Sequence, residues 1–186
     1  SITAGLSGKA DIDRALDILI SNQNVAPYIS KHLIMRLVTS NPTPAYVSRV
    51  ATVFNNNGSE VKGDLKAVVK AILLDDEARG VNTPSNFGKV DEMVNVFARF
   101  LSVFDAKGLE GWEFRKNGKT LMEDTIYFDS QKAFRQAPMS AESVFNFYSP
   151  NFVPADSAFA DSSTLSPELE IQNSPALIGF SNVVAT

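Results

Sequence analysis

The apolar residues of the first 80 positions recur at helical spacing in four short segments, each bracketed by residues that start or stop a helix. Ile12, Ala15, Leu16 and Leu19 form the first stripe, opened by Asp11 as N-cap and closed near Asn22. Val25, Ile29, Leu33 and Leu37 form the second, with Pro27 early enough to be tolerated in a first turn. Asn41-Pro42-Thr43-Pro44 breaks the chain and restarts it, Thr43 as the cap and Pro44 with its φ already set for the first helical position. Val47, Val50, Ala51 and Phe54 make the third stripe, ended by Asn55-Asn56-Asn57-Gly58. Gly63-Asp64 opens the fourth, where Leu65, Val68, Val69, Ile72 and Leu73 fall at i, i+3, i+4, i+7 and i+8. Residues 11–80 therefore predict a short-helix bundle or two stacked helical hairpins.

Residues 87–135 change character. A longer helix is expected from about Lys89 to Phe104, with Val90, Val94, Phe97, Leu101 and Phe104 on one stripe and Met93, Val96, Phe100 and Val103 on a second beside it. Only a narrow polar strip is left, the pattern of a helix buried between other elements. Trp112, Phe114 and the Asn117-Gly118 pair suggest one small β-hairpin near 112–121, and Thr120 to Glu123 has the form of a capping box. From Gln136 to the end, Pro138, Pro150, Pro154, Pro167 and Pro175 punctuate a Ser-rich stretch. Its Phe145, Phe147, Tyr148, Phe152 and Phe159 are too many rings for a solvated tail. Residues 136–186 are thus expected to wrap irregularly onto the helical body, with a short helix at Ser166-Pro167. The fold class expected is all-α, in a single domain over 1–186.

Composition sharpens this picture mainly by exclusion. The chain has no Cys and one His, so thiol nucleophiles, disulfides, thiolate metal sites and His-His zinc pairs are ruled out. A net charge of -4 argues against a nucleic-acid partner, which calls for surplus cations. No run approaches the roughly 18 to 20 apolar residues that a transmembrane helix needs. Phe is uneven, with Phe54 alone before position 87, and no Lys or Arg follows Arg135.

Few constellations carry chemistry. His32 shares a helix line with Tyr28 and Arg36 and reads as a boundary histidine, with no Gly-x-Ser-x-Gly elbow to support a triad. Ser59 and Lys62 have the Ser-x-x-Lys spacing of serine acyl-enzymes, yet they lie in a connection between Gly58 and Gly63. Gly5 to Ala10 has too short a glycine spacing for a phosphate loop, and Ala10 stands where the magnesium-binding hydroxyl belongs. Acidic pairs at Asp11/Asp13, Asp75-Asp76-Glu77, Asp91-Glu92 and Glu123-Asp124 fit no EF-hand and read as solvated caps and faces. No cofactor or metal site is expected. The weak candidates for a ligand surface are Trp112, Glu142, Phe147, Tyr148, Asp156 and His32, on the ground that rings beside carboxylates are how many carbohydrate sites are built.

Two runs carry a family resemblance. Asn41 to Phe54 (NPTPAYVSRVATVF), continuing through Gly63 to Arg79 (GDLKAVVKAILLDDEAR), resembles the second half of the bacterial family called domain of unknown function 1800, DUF1800. Ser143 to Pro150 (SVFNFYSP), with Pro154, Pro167-Glu168 and Asn173, is similar to its end. Together the resemblance spans about residues 10–180. It departs at Gly88 to Met93, where the family pattern has an Arg and a Pro, so any role of that Arg is not transferred. The resemblance implies a longer polypeptide with a further helical half before Ser1, and export to a periplasmic or extracellular location. The family's genes often neighbour an uncharacterised family resembling sulfatases. No catalytic residue is established for the family, so none is carried over. The leading expectation is a structural or protein-interaction module whose partner is the N-terminal half of the same polypeptide or another protein. The alternative is a hydrolase or carbohydrate-active domain, its site completed by that half, with carboxylates and rings from 136–170.

Overall fold

Short polar side chains set the helix starts. In a computed structural model that describes residues 7–105, 134–137, 139–155 and 164–185, six α-helices and one 3₁₀ turn are formed. Helix α1 spans Gly8–Ser21, α2 Val25–Leu37, α3 Pro44–Asn55, α4 Leu65–Leu74, α5 Met93–Val103 and α6 Ser174–Ala185. Among the described residues there is no strand, only an isolated bridge between Ser143 and Asn146, and the all-α class holds. The chain divides into two compact units, Ser1–Lys89 and Val90–Thr186.

In the first unit, Thr43 caps α3 by accepting from the Tyr46 amide at 3.1 Å, with Pro44 at the first helical position as expected. Asp64 caps α4 by accepting from the Ala67 amide at 3.1 Å. α1 begins earlier than its apolar pattern indicates. Ser7 is the cap, accepting from the Ala10 amide, and Asp11 sits in the first turn, where its charge favours the helix dipole. The core joins Ala26 and Ile34 of α2, Tyr46, Val50, Ala51 and Phe54 of α3, and Val68 and Ile72 of α4. Tyr46 buries its ring and donates its hydroxyl to the Ile72 carbonyl at 2.7 Å, so the one polar atom it takes inside is satisfied.

The expected α2 stripe is displaced. Val25, Ile29 and Leu33 are half-buried and Leu37 is exposed, while the innermost line is Ala26, Ser30 and Ile34. Ala26 and Ser30 on that line are small, and an apolarity pattern does not register them as core positions. After α4 the chain returns to the end of α2: the Gly88 carbonyl accepts from Thr39 Oγ1 at 3.0 Å and from the Ser40 amide at 2.8 Å. The Gly88 amide donates back to Thr39 Oγ1 at 2.9 Å. Gly88 does this at φ +123°, a backbone conformation that side chains make costly.

The second unit packs with rings. Phe97 of α5 lies 5.3 Å from Phe134 and 6.5 Å from Phe180 of α6, centroid to centroid, and Phe134 and Phe180 close the triangle at 6.1 Å. Such separations suit tilted and edge-on aromatic contacts. α5 is shorter than expected and buries only Met93 fully; Val94, Val103 and Phe104 are exposed, so the wide apolar circumference is not enclosed. Pro167 begins the short helix foreseen there, a 3₁₀ turn over Pro167–Glu170. The irregular wrap is corrected at its end. Asn173 Oδ1 accepts from the Ala176 amide at 3.3 Å, and the chain then runs helically through α6. The β-hairpin near 112–121 and the capping box at Thr120 lie outside the described residues.

Candidate functional site

α1 is the element whose physical position least matches its sequence. Its apolar stripe is real, with Ile12, Leu16 and Leu19 on one face at i, i+4 and i+7, yet the helix buries none of its residues. Ile12 is 63% exposed, Leu16 49% and Leu19 62%, with Ile20 also exposed beside them. Taking a Leu or Ile fully from water is worth roughly 1.5 to 3 kcal/mol, so a stripe left this exposed forgoes about half of that. Acids flank it, Asp13 and Asp17 on one side and Asp11 on the other, and Lys9 forms an exposed ion pair with Asp13. The connection to α2 is Asn22 to Asn24, where the Asn22 side chain accepts from the Asn24 amide at 2.9 Å.

The same unit also has an open groove of about 570 Å³ along α2 and α3. Pro27, Pro42, Pro44, Val47 and Ala51 give it an apolar floor, and Lys31, Ser48, Thr52 and Asn55 form a polar rim. Its size falls in the range of roughly 300 to 1,000 Å³ usual for ligand sites. On the α3–α4 side, Glu77 is buried and holds the start of α3: its carboxylate accepts from the Thr43 amide at 3.0 Å and from Thr43 Oγ1 at 2.5 Å. Arg49 makes a bidentate pair with Asp75, both bonds 2.7 Å, and comes within 4.0 Å of Glu77. The hydrogen bond from Arg49, opposed by burial, holds the Asp75 carboxyl below the usual carboxylate range. Burial first, then the charges of Asp75 and Glu77, pushes the Tyr46 phenol up. The Asp75-Asp76-Glu77 run is therefore not a solvated face: two of its three acids are structural.

In the second unit a polar cluster gathers around Tyr148. Its hydroxyl, on a ring 3% exposed, donates to Glu92 Oε1 at 2.6 Å and lies 3.3 Å from Oε1 of Glu168, which is 1% exposed. Gln136 donates its side-chain amide to the other oxygen of Glu92. Glu92 precedes α5 as its N-cap, but its side chain is given to this cluster rather than to the helix amides. Gln172 reaches the Asp91 carbonyl, Glu170 accepts from the Ser149 amide, and Arg99 pairs with Asp91. The phenol thus bridges two carboxylates, donating to Glu92 and lying beside Glu168. Among the described residues no group of three acids or histidines is placed to hold a metal ion.

Of the ligand-surface candidates, Tyr148 alone enters this cluster, and the Asp91-Glu92 pair is not a solvated cap: Glu92 accepts from Tyr148 and Gln136. Glu142 is exposed, Phe147 is half-buried, and Trp112 and Asp156 lie outside the described residues. His32 packs tilted against Tyr28 at 4.4 Å between ring centroids, and burial together with Lys31 and Arg36 lowers its proton affinity. Ser59 and Lys62 sit on an exposed loop. That Glu92, Gln136 and Glu168 gather at Tyr148 went unrecognised because these contacts form only in three dimensions, between residues 20 to 56 positions apart.

No curated protein and no solved structure matches the chain. A family model described as a protein of unknown function, DUF1800, matches residues 1–181. That match takes in both units and the runs from Asn41 to Arg79 and from Ser143 to Asn173, and with it the chain belongs to the DUF1800 family.

Proposed function

We propose that this chain is a protein-interaction module of an exported protein, and that its contact surface is the apolar face of α1. One observation carries the reading: a regular, capped, 14-residue amphipathic helix contributes no buried residue to the unit it belongs to. An apolar stripe rimmed by charge is the usual composition of a helix that docks on another protein. The helix-in-groove mode reads such a stripe at i, i+4 and i+7, the spacing of Ile12, Leu16 and Leu19. Supporting it from the other side, the Tyr148 phenol and the Glu168 carboxylate are buried and engaged within their own cluster.

The test is a photo-crosslinking residue placed at Leu16 or Leu19 of the whole protein in the living cell, with exposed Lys66 of α4 as the control position. Covalent protein adducts from the α1 positions and none from the control are expected. No adduct from either α1 position contradicts the proposal. Fractionation of the same cells tests the location, and a wholly cytoplasmic protein contradicts the exported part of it.

A further inference from the structure

The first unit carries both halves of a contact. On α1 there is an uncovered apolar ridge flanked by Asp11, Asp13 and Asp17; on α2 and α3 there is an open apolar groove with Lys31 at its rim. The ridge presents Ile12, Leu16 and Leu19, and the floor offered to it is Val47, Ala51 and prolines. Prolines make a floor with few backbone donors, so an apolar side chain laid on it strands little polar surface. Acid on the ridge and a cation on the rim are complementary in sign. α1 is joined to α2 by three residues and has no fully buried residue, the arrangement from which an element is exchanged between copies at low cost.

We infer that the occupant of the groove is α1 of a second copy of this chain, the two copies exchanging arms across a two-fold axis. This rests on the reading of α1 as an interaction face and names its partner. A 14-residue helix is ~21 Å long and ~10 Å wide, so one arm covers a face of ~200 Å². Counting both surfaces of two reciprocal contacts gives ~800 Å², below the roughly 1,200 Å² of a standard stable interface, so the pair is a weak, concentration-dependent dimer. Closure by a two-fold axis satisfies both arms at once, whereas a head-to-tail arrangement would leave an arm and a groove open at the ends.

Sedimentation equilibrium on the whole chain from about 1 μM to about 300 μM, the span in which so small an interface dissociates, tests this. Wild type is expected to pass from monomer to dimer within that range. Leu16→Asp with Leu19→Asp on the arm, and separately Ser48→Trp filling the groove, are each expected to abolish the dimer. Circular dichroism verifies that both remain folded. Lys31→Glu is expected to weaken dimerisation about tenfold, and combining it with Asp13→Lys and Asp17→Lys to restore it to within about twofold. A chain that stays monomeric throughout, with its arm bare or folded onto its own groove, overturns the inference. A dimer indifferent to the arm or the groove substitutions also overturns it. Crosslinked adducts to a different protein at Leu16, together with a monomer in the centrifuge, remove the second copy as partner and leave the interaction-module reading standing. A monomer without adducts removes both.

Discussion

Single side chains decide how the first unit is fastened. Glu77 is the clearest case, a buried carboxylate spent on the amide and hydroxyl of Thr43 rather than on solvent. Glu77→Ala leaves both donors at the start of α3 without an acceptor and is expected to cost about 2 to 3 kcal/mol in urea unfolding, the range for hydrogen bonds to a charged group. Tyr46→Phe deletes the hydroxyl that satisfies the buried Ile72 carbonyl and is expected to cost about 1 to 2 kcal/mol. Asp75 adds a pH dependence. Its carboxyl titrates below the ordinary 3.8 in the folded chain, so the stability it supplies is present above that value and is lost as pH falls through the lower, folded-state value. Arg49→Met removes the partner, and the gap between its urea midpoint and that of wild type is expected to narrow below pH 3.8. Arg49 is half exposed, so solvent screening keeps that gap small at neutral pH. A gap that widens on acidification would contradict this account.

The starts of α3, α4 and the 3₁₀ turn were legible because they depend on neighbours in sequence, whereas α1 and α5 begin elsewhere than their apolar patterns indicate. Thr43-Pro44 and Asp64 cap α3 and α4 where the local pattern places them, and Pro167 opens its short turn. Helix faces were less legible, because burial depends on what a helix meets. α2 turns Ala26 and Ser30 inward, residues that a search for large apolar side chains passes over. Val68→Ala and Ile72→Ala in α4, both fully buried, are expected to cost about 2 to 4 kcal/mol each by cavity formation. Leu65→Ala and Leu73→Ala, on the same apparent stripe but exposed, are expected to cost under about 1 kcal/mol. α6 was missed because Ser174 and Pro175 look like punctuation, although both are at home in a helix's first turn once Asn173 supplies the cap. The Tyr148 cluster had no local signature at all. Glu92 lies 56 positions from the phenol it binds, and only the fold brings them within 2.6 Å.

Across the whole molecule, the uneven placing of Phe separates two kinds of core. The unit over 1–89 packs aliphatic side chains around Tyr46 and Phe54, and the unit over 90–186 packs Phe97, Phe134 and Phe180 against each other. Every residue of the first core comes from α2, α3 and α4, so a fragment spanning 1–89 is expected to fold cooperatively, with a single urea transition in its helical signal. α1 stands outside both cores, and that placement is the physical basis for reading the chain as an interaction module. The most direct test is the urea unfolding of Leu16→Asp/Leu19→Asp, measured at a concentration low enough for the chain to be monomeric. An interaction face predicts an unfolding free energy within about 0.5 kcal/mol of wild type at an unchanged slope, as for surface substitutions elsewhere. A loss of several kcal/mol, the size seen when charge is forced into a core, would place α1 in the folded interior and contradict the account.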